Sequence, residues 1–308
     1  TIDNFFVPFY FMVAFFAGPG IAWVLERVLA AAQAGPGVRK AAAVLAVAAL
    51  GGATAMSNAP HCDQRKYLLS WDYGMNILKS TPPNALIRCA GDIDILPLWY
   101  LRYVEQRRPD VQVVTCQHLP YDWYRRSIAR EDPRLRLPYG DMLVPMEAAG
   151  EMLMKIALYY RPVVYTFIFT RPFMQKFPSR VRGILWEVVP ENKVHEPYDV
   201  RENDRLFGSF LLRGCLEPEV YKDDYTQVLV DSYGTARDAT GFVALREAGT
   251  AGQSARAMEN WYRTAIHEFK RAMPLRSLQA QSAIRANMGA AYRSLGDVGS
   301  ALAMNQGE

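Results

Sequence analysis

The sequence predicts an α/β protein on a membrane anchor: two N-terminal transmembrane helices, a small three-layer domain built on a parallel sheet, and an α-helical tail. Three observations carry this reading. The first sixty residues hold two long uncharged stretches, short β-branched runs alternate with helical spacing from about Tyr67, and the final hundred residues lose those runs. A chain of 308 residues buries a sizeable core without disulfide staples. With 50% apolar and 21% charged residues it is not a disordered chain. The net charge of +4 is spread thinly, without a block of like charges, which disfavours a nucleic-acid partner. The mean hydropathy of -0.08 conceals the split between an apolar N-terminus and a polar remainder.

Asn4 to Leu25 runs without a charge and is about as long as a helix needs to span a 30 Å hydrocarbon core. It has no basic leader and no small-residue cleavage site, so a signal peptide is the weaker reading. Gly18-Pro19-Gly20 is expected to kink or break it. The second stretch, Ala41 to Ser57, is built of Ala, Val and Gly. Its Gly51 and Gly52 suit close packing against a neighbouring helix, as a return span would need. Arg27, Arg39 and Lys40 lie in the short connection and place it in the cytoplasm, with everything after Ser57 on the other side. Arg65 and Lys66 close behind the second span weigh against that orientation. In a bacterium the chain would then sit in the inner membrane with a periplasmic body. The lipid bilayer is one expected partner.

Within the body, Ala85 to Ala90 follows the turn Pro82-Pro83-Asn84 and reads as a buried strand ending at Gly91-Asp92. Leu96 to Gln106 has helical spacing, and Val111 to Cys116 is again a strand. This β-α-β unit predicts two parallel strands. Helices are expected at Tyr121 to Ala129 and Pro145 to Tyr160, and strands at Val163 to Phe169 and Arg182 to Val189. In the tail, Tyr221 to Ala236, Ala255 to Ala272 and Leu275 to Leu295 read as helices, with a loop from Gly249 to Ser254. The expected division is an anchor over 1–58, an α/β domain over 59–200 and a mainly helical tail over 201–308.

Two features invite a chemical reading. Asp92 and Asp94 stand where the first strand ends, and ligands of open parallel sheets gather at the carboxyl ends of strands. They could hold a cation or sugar hydroxyls, but capping the following helix is the expected role. In the tail, Met288-Gly289, Tyr292, Gly296 and Ala301 fall where a tetratricopeptide-like hairpin needs small and large residues. Its uncovered face, with Met288, Tyr292 and Leu295 at helical spacing, is expected to dock on the chain's own α/β domain or on a partner. Cys62, Cys89, Cys116 and Cys215 show no metal spacing, and His61, His118, His195 and His267 do not cluster. No structural metal and no cofactor is expected. A disulfide is open in an oxidising compartment, with buried thiols the expected state. Nucleophile-elbow, Walker and dinucleotide motifs are absent.

The run Tyr73-Gly74-Met75-Asn76-Ile77-Leu78-Lys79-Ser80-Thr81-Pro82-Pro83-Asn84-Ala85, followed by Gly91 to Leu101 and Arg108-Pro109-Asp110-Val111, resembles a family of bacterial multi-spanning membrane proteins. That family is related to GT-C class protein O-mannosyltransferases. The resemblance implies a helical, often tetratricopeptide-like tail after the α/β domain. It also implies that the family's transfer chemistry relies on acidic residues in an early extracytoplasmic loop. Where the family carries an Asn-Asp-Thr flavour after Gly-Asp, this chain has Ile93-Asp94-Ile95. No catalytic residue is therefore expected among those present. The leading expectation is a non-catalytic, membrane-anchored accessory subunit binding other membrane-protein subunits in a respiratory, photosynthetic or envelope assembly. The alternative is the C-terminal portion of a polytopic GT-C-type protein glycosyltransferase.

Overall fold

The computed structural model describes residues 3–33, 35–62, 67–166, 176–190, 198–250 and 252–306. The chain forms two compact units, residues 1–67 and 68–308. The first unit consists of α1 (Asp3–Ala31) and α2 (Pro36–Cys62). Helix α1 runs unbroken through Gly18-Pro19-Gly20, contrary to the expected break. A proline removes one hydrogen bond from the helix ladder, and a helix of 29 residues retains the rest. Among the described residues, Pro36–Ala59 of α2 is long and apolar enough to cross a membrane. Large side chains such as Phe15, Phe16, Trp23, Val44 and Val47 are exposed along both helices. A Cβ added at Gly18, Gly20, Gly51 or Gly52 would meet nothing within 4 Å, so these positions are not points of close approach within the chain.

The second unit opens with α3 (Leu69–Ser80), whose Leu69, Tyr73 and Ile77 form a buried stripe at four-residue spacing. Then come β1 (Leu86–Cys89), α4 (Asp92–Trp99) and β2 (Gln112–Thr115). Helix α5 (Asp122–Glu131) and α6 (Met146–Leu158) precede β3 (Val163–Thr166). A hairpin of β4 (Ser179–Arg182) and β5 (Leu185–Val188) completes the sheet. The remainder is helical: α7 (Val200–Gly208), α8 (Asp224–Ala248), α9 (Ala255–Ala272), α10 (Leu278–Ser294) and α11 (Val298–Gln306). The last three residues of the strand expected over Val163 to Phe169 lie outside the described residues.

The sheet has the order β2-β1-β3-β5-β4. Strand β1 pairs in parallel with both β2 and β3, as the β-α-β reading requires. The sheet is nevertheless mixed rather than parallel, because β5 runs antiparallel to β3 and β4 antiparallel to β5. The run expected as one strand, Arg182 to Val189, instead turns at Gly183-Ile184, where Gly183 adopts φ +57. A Cβ there would lie 2.1 Å from the Ser80 hydroxyl, so only glycine fits the turn. Leu86, Val114, Val163 and Tyr165 of the sheet pack against Tyr124 and Ile128 of α5 and against Leu153 and Met154 of α6. Along β1 and β3 the side chains of Ile87, Cys89 and Thr166 therefore point to the opposite face.

Helix α4 starts earlier than its spacing indicated and contains Pro97; it widens into a π-helical turn over Tyr100–Val104. The Glu105 N–H donates to the Tyr100 carbonyl, five residues back, at 3.2 Å. At the α3–α4 crossing, a Cβ on Gly74 would sit 2.7 Å from Leu101 Cδ1 and 3.1 Å from Pro97 Cβ. The glycine sets how closely the two helices approach.

Candidate functional site

Strand β1 lies between β2 and β3, so the chain leaves it first to one side and later to the other, and the β1/β3 junction is the point where strand order reverses. Asp94, in the first turn of α4, is fully buried there. Its Oδ1 accepts the Tyr73 hydroxyl at 2.9 Å, and its Oδ2 accepts the Thr166 hydroxyl at 2.5 Å and the Ala90 N–H at 3.3 Å. Burial pushes the carboxyl up from its ordinary value, although all three donors pull the other way. Burial and the neighbouring Asp94 likewise raise the Tyr73 phenol. Asp92 is exposed. Neither aspartate is the N-cap; that position is Gly91, with no side-chain bond. Asp94 instead reaches back from the first helical turn and ties α4 to α3 and β3.

Polar contacts continue inward from this knot. Tyr73 lies edge-to-face on Tyr233 of α8, with centroids 6.0 Å apart. Asn76 donates to the Tyr233 hydroxyl at 2.8 Å and to the Leu211 carbonyl at 2.7 Å, and accepts the Leu211 N–H at 3.1 Å. The conspicuous segments Ser80-Thr81-Pro82-Pro83-Asn84 and Arg108-Pro109-Asp110 clasp each other. Arg108 donates to the carbonyls of Leu78, Thr81 and Pro82, while Asp110 accepts the Asn84 N–H at 2.9 Å. Hydrogen bonds from Arg108 hold the Asp110 carboxyl well below its usual range. This part of the motif builds a turn rather than a reaction centre.

An aromatic cleft of about 570 Å³ lies along the free edge of β2. Trp99 and the π-turn residues Tyr100 and Tyr103 form one wall; Trp123, Tyr124 and Glu131 of α5 form the other, with Val113 of β2 between them. Tyr100, Tyr103 and Trp123 are about half exposed. Glu131 Oε1 accepts the Tyr103 hydroxyl at 2.7 Å and Arg102 Nη1 at 3.1 Å. Burial and Glu131 push the Tyr103 phenol up to about 12, so it remains a neutral donor. His118 packs behind the cleft, 5.7 Å from Trp123 and 5.4 Å from Tyr124, with its buried Nδ1 unpartnered among the described residues. The sequence reading missed this cleft. Its signal was present in the density of Trp and Tyr between Trp99 and Tyr124, which helical spacing alone did not single out.

A second hollow, about 720 Å³, opens on the other side of α5 between Arg125, Arg126, Arg130, Arg136 and the carboxylates of Asp122 and Asp141. Arg125 is spent on the carbonyls of Leu119, Pro120, Gly140 and Met142, and Arg126 on the two aspartates.

In the tail, Met288 is buried, and Tyr292 and Leu295 pack against the same cluster, which includes Phe269 and Ile266 of α9 and Ala244 of α8. The three residues are thus engaged inside the helical part of this unit. Asp204, His267 and Glu268 come within 4.8 Å of one another, a grouping that sequence spacing did not reveal. Arg237 lies 2.8 Å from Glu268 and 3.3 Å from Asp204, and Arg271 lies 3.6 Å from Asp204. Guanidiniums at these distances neutralise the carboxylates a cation would need, so the cluster reads as an ion-pair network. Cys89, Cys116 and Cys215 are buried free thiols, pushed up by burial, Cys116 to about 11 and Cys215 to about 12. Such thiols are not nucleophiles at neutral pH.

Residues 70–133 match the family model described as TMEM260-associated domain 2. The match runs from α3 to just beyond α5 and contains Tyr73, Asp94 and every wall of the aromatic cleft. Among curated proteins, the chain is 38% identical over 91 residues to the protein O-mannosyl-transferase TMEM260 of Mus musculus, covering 30% of this chain and 13% of that relative. It is 22% identical over 140 residues to the protein O-mannosyl-transferase tmem260 of Dictyostelium discoideum, covering 44% of this chain and 17% of the relative. The chain therefore spans less than a fifth of the length of these relatives. Both come from eukaryotes, whereas the sequence resemblance pointed to a bacterial family. No solved structure matches the chain.

Proposed function

We propose that this chain is a membrane-attached portion of a GT-C-like protein O-mannosyl-transferase, in which the folded unit serves binding and positioning rather than bond making. The observation that carries the reading is the 38% identity to a protein of that name, together with a family match over α3 to α5. It favours the glycosyltransferase alternative over an accessory subunit of an unrelated assembly. Helix α2 supplies the membrane attachment, and Arg27, Arg39 and Lys40 favour a non-cytoplasmic side for the folded unit.

The chemistry of the unit fits a supporting role. A transferase using a lipid-linked sugar needs a carboxylate open to its substrates, whereas Asp94 is buried and bound by three donors. Deleting the gene should remove O-linked hexose from target proteins, as read by mass spectrometry of the host's membrane and exported proteome. The full-length gene should restore it. An O-hexose pattern unchanged by the deletion would sink this function.

A further inference from the structure

We propose that the aromatic cleft beside β2 is a carbohydrate-binding site that takes a neutral pyranose ring of a glycan. The inference does not rest on the transferase reading, because a glycan site would stand even if the chain transferred nothing.

Charge decides first which ligands fit. Among the described residues, Glu131 is the only charged one lining the cleft, and Arg102 at 3.1 Å offsets it. With no cation among the described residues that line the walls, a phosphate-bearing ligand finds no partner there. For a cationic ligand, the Tyr103 face is already covered by the Arg102 guanidinium, 4.8 Å from its centroid, and the Glu131 charge is already paired. The cleft therefore suits an uncharged molecule.

Shape and hydrogen bonding then separate a sugar from a peptide. An extended peptide could add to the free edge of β2, yet side chains occupy that edge on both sides of Val113. The Tyr124 hydroxyl accepts the Thr115 N–H at 3.0 Å, and Arg102 Nε donates to the Val111 carbonyl. What remains open are flat aromatic faces, whose electron-rich surfaces attract the polarised C–H groups of a pyranose ring. Beside them, Glu131 offers a carboxylate oxygen as acceptor, and the hydroxyls of Tyr100 and Ser127 stand in the same lining. The volume of about 570 Å³ lies within the range of small-ligand pockets. One wall is a π-helical turn, a device that recurs at functional sites.

The test uses the full chain in phosphatidylcholine nanodiscs, which avoids sugar-headed detergents. Methyl glycosides of glucose, galactose and mannose, and disaccharides of each, serve as probes in saturation-transfer NMR. At least one glycoside should receive saturation at its ring protons. Trp123→Ala should then weaken binding about tenfold while Trp123→Phe keeps most of it, as loss of an aromatic face predicts. Glu131→Gln should weaken binding with the melting temperature unchanged. The proposal is overturned if no glycoside receives saturation, if Trp123→Ala leaves affinity intact, or if a proline-rich peptide binds where the glycosides do not.

Discussion

Asp94 couples the fold to pH in a direction its environment fixes. Burial holds its carboxyl above the ordinary value, so the folded chain keeps a proton that the unfolded chain releases at lower pH. Stability from this group is complete below the unfolded carboxylate pKa of about 3.9 and is lost as pH rises through the raised folded value. In Asp94→Asn the side chain no longer titrates. The unfolding free energy of the natural chain, measured by urea titration, should fall relative to that of the variant as pH rises from about 4; a pH-independent difference would contradict the assignment. A polar break after an apolar run made Gly91 to Asp94 legible as a strand end. Which aspartate is buried was not legible, because it depends on how α4 is rotated over the sheet. Its partners Tyr73 and Thr166 lie 21 and 72 residues away, beyond any local spacing argument.

At the scale of elements, the close approach of α8 and α9 depends on Gly241. A Cβ there would lie 2.6 Å from Phe269 Cε1 and 2.8 Å from Cδ1, and the Phe269 ring is fully buried with no room to retreat. Gly241→Ala should therefore destabilise by about 1–3 kcal/mol through overpacking. This opposes the gain of up to ~1 kcal/mol that alanine brings to a helix interior. Thermal melts check the sign, and Phe269→Leu should recover part of the loss in the double variant, as contacting sites do not add. Elements with long apolar runs, such as β1, β2 and β3, were legible from the sequence. Strand β4 was not: Ser179-Arg180-Val181-Arg182 has one apolar side chain, and its place comes from pairing with β5. The π-turn also escaped notice, because apolar spacing does not distinguish i→i+4 from i→i+5 ladders.

On the scale of the whole molecule, the sheet and the terminal helices belong to one compact unit, residues 68–308. The tail is therefore part of the body's own packing. Ile284, Met288 and Ala291 of α10 are buried against Phe269 and Ala265 of α9, and Gln281 Nε2 donates to the carbonyls of Met273 and Arg276 at 3.0 Å each. Arg276 in turn binds Asp231 of α8 at 2.5 Å. Truncation after Gln279 would remove α10 and α11 and expose the apolar face of α9. Each large side chain so exposed forfeits about 1.5–3 kcal/mol. Against a typical total of about 5–15 kcal/mol, losing Ile284 and Met288 together is a large fraction of the whole. The truncated chain should show a lower melting temperature and faster proteolysis within α9 than the complete chain. Identical melting and protease resistance would mean that α10 adds nothing to the stability of the unit, despite the burial of its side chains.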